Sequence, residues 1–540
     1  MKQLFTVVFL CATLSISPGC SKNKQTNVEY GNENGILFLA NGTEPQGLDP
    51  HLTTGVPESN IVESLMEGLT SLHHDSVEPR PAAAENWTVS KDGKRYIFNL
   101  RKDGKWSNGD PLTASDFVYS WKRALSPRLG NHYAYMLYHL ENAEAYHKQE
   151  IQDFTQVGVK ALNDFQLEVK LNNPTFFFLQ LLSHHSFYPV HPATIEANGG
   201  MDNLLSKWTL PASYVGNGPF VLKTWEVNKE ISVAKNAQYW DAANVQLNGI
   251  HFFPIEGEAA EERAFRGGQV HSTYTMPIEK IATYKEKHAD LLKIYPIYGT
   301  YFYLFNTTKP PFNDKNVRKA IALAIDRDRI VSRVTKSEEI PSHSLAPPNP
   351  DGYIPEQLFE YNLEKAQQYL ADAGYPNGEG FPSFEILFNT HDGHRKIAIA
   401  VQQMLKQNLN IDVTLLNQEW KVFITTTNNL EYDVARMGWI GDVADATNFF
   451  ELMITGVGNN RTGWSNEEYD QLMQQVTRTN DRTEREAIFA KLNALLADEM
   501  PIAPFYTYTQ KIAIQPNVKN WHSNVLIRPD YKSVFLEHVE

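Results

Sequence analysis

Apolar and polar positions follow two different periods along this chain, and each change of period marks an element. Ile36-Leu37-Phe38-Leu39-Ala40 is an unbroken apolar run followed by turn-forming residues from Asn41 to His51, which predicts a buried strand and then a loop. After Pro57-Glu58-Ser59, the residues Ile61, Leu65, Met66 and Leu69 recur at helical spacing, so a helix is expected there, with Gly68 helping to end it. Alternating runs flank Asp92-Gly93, a pair that tolerates the left-handed backbone of a tight hairpin turn. Thr113 stands before a helix-forming segment with Asp116 three residues on, the spacing of a reciprocal N-terminal cap.

The second half of the chain repeats this punctuation. Helices are expected over 317–326, after Asn313-Asp314, and over 363–373, stopped by Gly374. A strand at Phe384–Phe388, a helix at Ile397–Gln407 and a strand at Ile411–Leu415 read as a βαβ unit with parallel strands and a right-handed crossover. The loop after Phe388 carries His391, Asp392 and His394, at the carboxyl end of a strand, where ligands gather in such sheets. Val434–Trp439 alternates strictly, so Val434, Arg436 and Gly438 share one face and Ala435, Met437 and Trp439 the other. Gly438 weakens that strand, and the usual compensation is a second backbone passing close by; a ligand's backbone is expected there.

Composition narrows the classes. At 540 residues the chain exceeds a single core, and about three or four domains are expected. The net charge of -14, with no cluster of Lys and Arg, argues against a nucleic-acid partner. Phe, Trp and Tyr make up 12% of the residues, enough to line an aromatic cleft. Lys2, the apolar segment Leu4–Ile16 and Ser17-Pro18-Gly19 form a secretory signal, too short for a permanent membrane span. The two cysteines are Cys11, inside that signal, and Cys20, so the exported chain has no internal disulfide. Cys20 after a small residue resembles a bacterial lipoprotein cleavage site, although Ser17 stands where Leu is usual; the alternative is an ordinary signal with an unmodified cysteine. A polar tether over 20–29 follows.

Longer motifs carry a family resemblance. They are Leu48-Asp49-Pro50-His51, Gly55-Val56-Pro57-Glu58-Ser59-Asn60, Trp106-Ser107-Asn108-Gly109 and Thr113-Ala114-Ser115-Asp116-Phe117-Val118-Tyr119-Ser120-Trp121. Asn217-Gly218-Pro219-Phe220, Pro310-Pro311-Phe312-Asn313-Asp314, Asn417-Gln418-Glu419-Trp420-Lys421 and Asp433-Val434-Ala435-Arg436 continue it. In this order they resemble the extracytoplasmic solute-binding proteins of bacterial ABC importers, in the oligopeptide-binding (OppA-type) branch of the peptide/nickel-binding family. The resemblance implies an α/β fold: a two-lobed, periplasmic-binding-protein-like clamp of three domains, with mixed sheets flanked by helices. The first lobe's main domain would take 30–66, 194–298 and 510–540, its extra domain 67–193, and the second lobe 299–509. The implied function is capture of a short peptide between the lobes and delivery to a membrane ABC importer permease, by a monomer held outside the cytoplasm through a lipid on Cys20. No cofactor or metal is implied.

The family's ligand contacts map onto named residues here. Thr54-Gly55-Val56 and Gly438-Trp439-Ile440 match the two backbone edges that pair with a peptide, a mode that holds the main chain without reading side chains. Asp442 matches the carboxylate for the ligand ammonium; from the residues alone the favoured reading is a Gly-Asp turn residue. Arg436 matches an arginine for the carboxylate of short ligands, the alternative being an ion pair with Asp433 or Asp445. His394 matches a residue near the other ligand end, where an imidazole can serve a carboxylate, the alternative being a solvated loop histidine; His391-Asp392-Gly393-His394 is too sparse for a metal site. Tyr133, Tyr274 and Phe302 match cleft aromatics, with core packing the competing assignment for each.

Departures bear on the ligand. Thr427 and Thr335 replace basic residues of the family, Thr54 replaces an acid, and Gly299 and Ile440 replace a cysteine pair. Fewer cations then receive a ligand carboxylate, and murein-derived peptides, bound by a related branch, stay open. The chain lacks a Gly-x-Ser-x-Gly elbow, a His-Glu-x-x-His pair and a phosphate-binding Gly-rich loop, so an enzyme is not expected. The rival from another class is a surface-anchored peptide hydrolase.

Overall fold

In the computed structural model, which describes residues 25–537 apart from 74, 350–351, 480 and 522–523, two long strands organise the chain. Leu292–Phe305 and Ile502–Ala513 run antiparallel, pairing first from Leu292↔Ala513 to Pro296↔Thr509 and then, after a register shift, from Thr300↔Thr507 to Leu304↔Ile502. The outer halves pack with one body: Leu292 and Ala513 lie in a cluster with Phe265 and Ile281. The inner halves, including Tyr301, Phe305 and Phe505, belong to the large core of a second body. The chain therefore passes between the bodies on one adjacent strand pair, and the irregularity between Pro296 and Thr300 sits at the crossing. Loss of ladder register where a proline has no N–H to donate is a site where a sheet bends.

On the first side, a four-stranded sheet has Ile36–Ala40 parallel to Gly249–Phe253, followed by Glu230–Lys235 and Phe220–Glu226. Beside it stands an antiparallel sheet of Ala84–Val89, Arg95–Leu100, Gln166–Lys170 and Val159–Asn163, with a core that includes Phe98, Phe117, Trp121 and Leu167. The second side is a six-stranded mixed sheet in the order Ile340–Pro341, Ile502–Ala513, Leu292–Phe305, Val434–Ile440, Phe384–Asn389, Val413–Gln418.

Much of the local pattern is realised. The strand Ile36–Ala40, the hairpin around Asp92-Gly93 and the helix Ala114–Ala124 with its Thr113–Asp116 capping box are all present. Lys315–Leu323 starts at an Asp314 cap, and Leu363–Asp372 stops just before Gly374, whose φ is 93°. Phe384–Asn389 and Val413–Gln418 pair in parallel around the helix Asp392–Leu409.

Three differences have physical causes. The helix expected from Ile397 begins at Asp392, because the His391 side chain accepts the Gly393 N–H and caps it; His391 to His394 form a helix start and not a loop. The helix Val56–Leu65 ends before Gly68, where a Cβ would overlap the Leu182 carbonyl, so that glycine serves packing and not helix termination. The tether expected over 20–29 gives way to a helix, Asn27–Asn34, started by a Thr26–Glu29 capping box and docked through Val28 N–H to Gly268 O at 2.9 Å. Backbone and cap hydrogen bonds hold it, so its polar composition was no obstacle. Cys20 and the signal segment lie outside the described residues. No described helix is long and apolar enough to cross a membrane.

Candidate functional site

A cavity of about 370 Å³ lies between the two bodies. Leu39 to Thr43 and Thr54 to Val56 form part of one wall, Asn389 to His391, Gly393, His394, Arg436 and Gly438 to Asp442 part of the other, and Tyr133, His184 and His185 close one end.

Asp442 is at that end, 8% exposed, just past the strand Val434–Ile440. Its Oδ1 is 3.1 Å from His184 Nε2, and its Oδ2 accepts from Asn448 Nδ2 at 3.3 Å. His184 Nδ1 accepts the Ser186 N–H, so its proton is on Nε2 and is donated to Asp442. Burial holds His184 well below the usual imidazole range, with Arg528 adding to the effect, and the ring is neutral. Arg528 Nη2 donates to the Asp442 backbone oxygen at 2.7 Å. Burial pushes the Asp442 carboxyl up to about 6, against the opposing pull of Arg528 and His185. A cation arriving in the cavity would relieve that burial cost.

Arg436, 9% exposed, stands further back on the same strand. It donates through Nη2 to Tyr508 Oη at 2.5 Å and through Nη1 to Asn389 Oδ1 at 3.3 Å, and its guanidinium lies 4.8 Å from the Tyr301 ring centre. Its Nε has no partner. Neither acid considered from the sequence is paired with it: Asp445 binds Arg485 at 2.7 Å, and Asp433 accepts the Glu385 N–H at 3.1 Å. Among the described residues this buried guanidinium has no ion pair, an arrangement that suits an incoming anion. His394 is 8% exposed beside it, stacked on His391 with ring centres 4.4 Å apart. Burial, then Arg436, holds it well below the usual range, so it faces the cavity as a neutral imidazole. No group of described His, Cys, Asp and Glu side chains could hold a metal ion.

Between these ends runs a backbone edge. Val434–Ile440 pairs along its length with Gly299–Phe305 on one side, but on the other side it meets Phe384–Asn389 only at Val434 and Ala435. From Arg436 to Ile440 no described strand occupies that second edge. Trp439 is fixed by its Nε1–H to Asn448 Oδ1 at 3.0 Å and lies 6.1 Å from the Tyr133 ring. Ile440 is directly opposite Gly299, where a Cβ would come within 3.1 Å of Ile440 Cγ1; the isoleucine fills the space between them.

Other residues fall less simply. Within the protein the group nearest Gly438 is a side chain: a Cβ there would overlap Tyr508 Oη and lie 2.9 Å from Tyr508 Cζ. Phe302 is absent from the cavity wall. It is 1% exposed and directly opposite Met437, on the face away from Arg436, within the second body's core. Tyr133 and Tyr274 both line the cavity, and Tyr274 lies over Gly42, whose φ of 72° and lack of a side chain admit the ring. Gly55 is extended, caps the helix Val56–Leu65 and lies against Trp420 from the opposite wall, 3.0 Å from where its Cβ would be. Thr427 is fully buried away from the cavity, whereas Thr335 lines it and donates to Glu339 Oε2 at 2.9 Å. His184, Tyr508, Glu258, Lys511 and Arg528 also line the cavity and were not anticipated; each comes from a segment with no local motif.

Comparison with known proteins fits this geometry. The family model for bacterial extracellular solute-binding proteins, family 5, middle region, matches residues 78–461. The chain is 37% identical over 524 residues, 95% of itself and 94% of the relative, to the periplasmic oligopeptide-binding protein OppA of Salmonella typhimurium. The crystal structure of Haemophilus influenzae OppA in complex with the peptide RPPGFSPFR superposes with a TM-score of 0.89 at 33% identity, covering 93% of this chain and 99% of that one. The murein tripeptide binding protein MppA of Escherichia coli gives 0.88 at 32% identity over 93% and 98% of the two chains, whereas its unliganded open form, at the same identity and coverage, gives only 0.63. The two bodies here thus stand in an arrangement distinct from that open form. On its sequence and its fold alike, this chain belongs to the bacterial extracellular solute-binding proteins, family 5.

Proposed function

We propose that this protein is an extracytoplasmic receptor that binds short peptides between its two lobes and hands them to an ABC importer in the membrane. The observation that carries the reading is one cavity with complementary end groups. Among the described residues Arg436 has no acid partner and the strand edge running from it toward Asp442 is unpaired, and Asp442 is a buried carboxyl whose ionisation a cation would favour. A peptide has an ammonium, a carboxylate and a main chain that adds to a sheet edge, so it satisfies all three at once. Thr54 to Val56, His394, Trp439 and the rings of Tyr133 and Tyr274 are the further contacts. Phe302 is left out because its side chain faces the core.

The relatives support the ligand class, since the matched proteins include an OppA solved with a nonapeptide and a murein tripeptide binder. The second of these makes murein-derived peptides a natural set to try. The two-strand crossing at Pro296–Thr300 supplies the hinge of a closing clamp. Attachment through a lipid on Cys20 and action as a monomer complete the proposal. Incubating the purified protein with short peptides and analysing it by native mass spectrometry should show bound, uncleaved ligand. Turnover of the peptide would favour a hydrolase and overturn the receptor reading.

A further inference from the structure

Away from the cavity, the second body also meets the unit built on the antiparallel sheet of Ala84–Val89, Arg95–Leu100, Gln166–Lys170 and Val159–Asn163. Val443, one residue past Asp442, is 1% exposed. Its neighbours Met437 and Ala446 belong to the second body's core, yet Val443 is buried in the core of the antiparallel unit with Phe98, Phe117 and Trp121. The next N–H, that of Ala444, donates to Gln180 Oε1 of that unit at 3.1 Å. A second loop behaves in the same way. Val457 packs against the same core, and His132 donates through Nδ1 to Gly458 O at 3.1 Å while its Nε2 accepts from Asn428 Nδ2 at 3.4 Å. At Gly458 the two bodies are in tight contact: a Cβ would lie 2.9 Å from His132 O and 3.0 Å from its Cα, and the three atoms nearest to it all belong to His132. Val443, Val457, Gly458 and His132 do not line the cavity. An apolar side chain buried across such a joint must be drawn into water when the joint opens, and that cost favours the closed arrangement.

We propose that the antiparallel-sheet unit is the clasp of the clamp: it receives Val443 and Gly458 of the second body on closure, and so sets how long a bound peptide is retained. The inference rests on the peptide reading above and adds to it a role for this unit. Asp442 and Val443 are consecutive, so an ammonium that fixes the carboxyl also fixes the valine one peptide unit away. A ligand between closed lobes leaves after they open, and whatever stabilises the closed arrangement raises the apparent affinity by the same factor. Retention is therefore decided in part at a surface that the ligand never touches.

The test is stopped-flow kinetics of the full-chain protein with trialanine and tetra-alanine, followed by tryptophan fluorescence, since Trp420 and Trp439 line the cavity. Gly458→Ala places a methyl wedge against His132 and nowhere near the ligand. Dissociation should become about tenfold faster or more, with association within about twofold of the unsubstituted protein. His132→Ala removes the joint's hydrogen bonds from the other body and should speed dissociation about threefold or more, again with association spared. The two substitutions lie in different bodies, so a folding defect in one leaves the other to decide. Dissociation within about twofold of the unsubstituted protein in either variant that folds, or an affinity loss carried by slower association, overturns the inference and leaves peptide binding intact. Failure of both peptides to bind the unsubstituted protein overturns the peptide reading and this inference with it.

Discussion

The two ends of the cavity handle buried charge in opposite ways. At the Asp442 end the protein surrounds the carboxyl with His184, Asn448 and Arg528, yet burial still wins and holds it near 6. At the Arg436 end a guanidinium, which stays charged under all ordinary conditions, is cushioned by Tyr301 and Tyr508 and given no acid. One end can therefore lose its charge with pH, and the other cannot. On the proposed assignment, the end that would take a ligand ammonium is adjustable with pH, while the end that would take a carboxylate is a permanent cation.

Breaking each end in turn separates them. Asp442→Asn should weaken tripeptide binding on the order of 100-fold, because it leaves an ammonium buried without its charge partner. Arg436→Gln should cost about 30-fold for tripeptides, and less when the ligand is amidated at its carboxyl end, since that ligand has already lost the contact. Unchanged affinity in both variants would remove these residues from the site. The pH dependence sharpens the contrast. Binding an ammonium favours the ionised Asp442, so affinity is full above about 6 and should fall by about tenfold per unit as the pH drops below that, until the bound-state value is reached. Calorimetry across pH in Arg436→Gln should keep that slope, and in Asp442→Asn should lose it. The smallest effect is expected from Gly438→Ala. Its methyl would displace Tyr508, the residue that steadies Arg436, at a cost of about 1 kcal/mol in stability, read as a lower unfolding midpoint in denaturant.

The sequence reading succeeded where the determinant is local. A capping box needs only Thr113 and Asp116 three residues apart, a hairpin turn only Asp92-Gly93, and a parallel βαβ unit only its succession of periods. It missed the helix Asn27–Asn34 although the Thr26–Glu29 capping box that starts it is local, because the polar segment has no apolar face to show a helical period and its dock, Gly268, lies far along the chain. It placed His391 to His394 in a loop because a histidine N-cap looks like a loop residue until the N–H it accepts is visible. Phe302 and its neighbour Tyr301 are indistinguishable as strand aromatics; the register against Met437 and Gly438 decides which one shares the face of Arg436.

For the site, residues within one segment were legible and their partners were not. Arg436 lies inside the alternating, motif-bearing stretch, whereas Asp442, six positions on, is singled out only by the family resemblance. His184 reaches Asp442, Tyr508 reaches Gly438 and Glu258 reaches Gly393 across long loops and between lobes, and nothing in their own neighbourhoods predicts it. Periodicity records which way a side chain points within its element. Only the tertiary structure decides what stands opposite, because that depends on how separate elements close around one cavity.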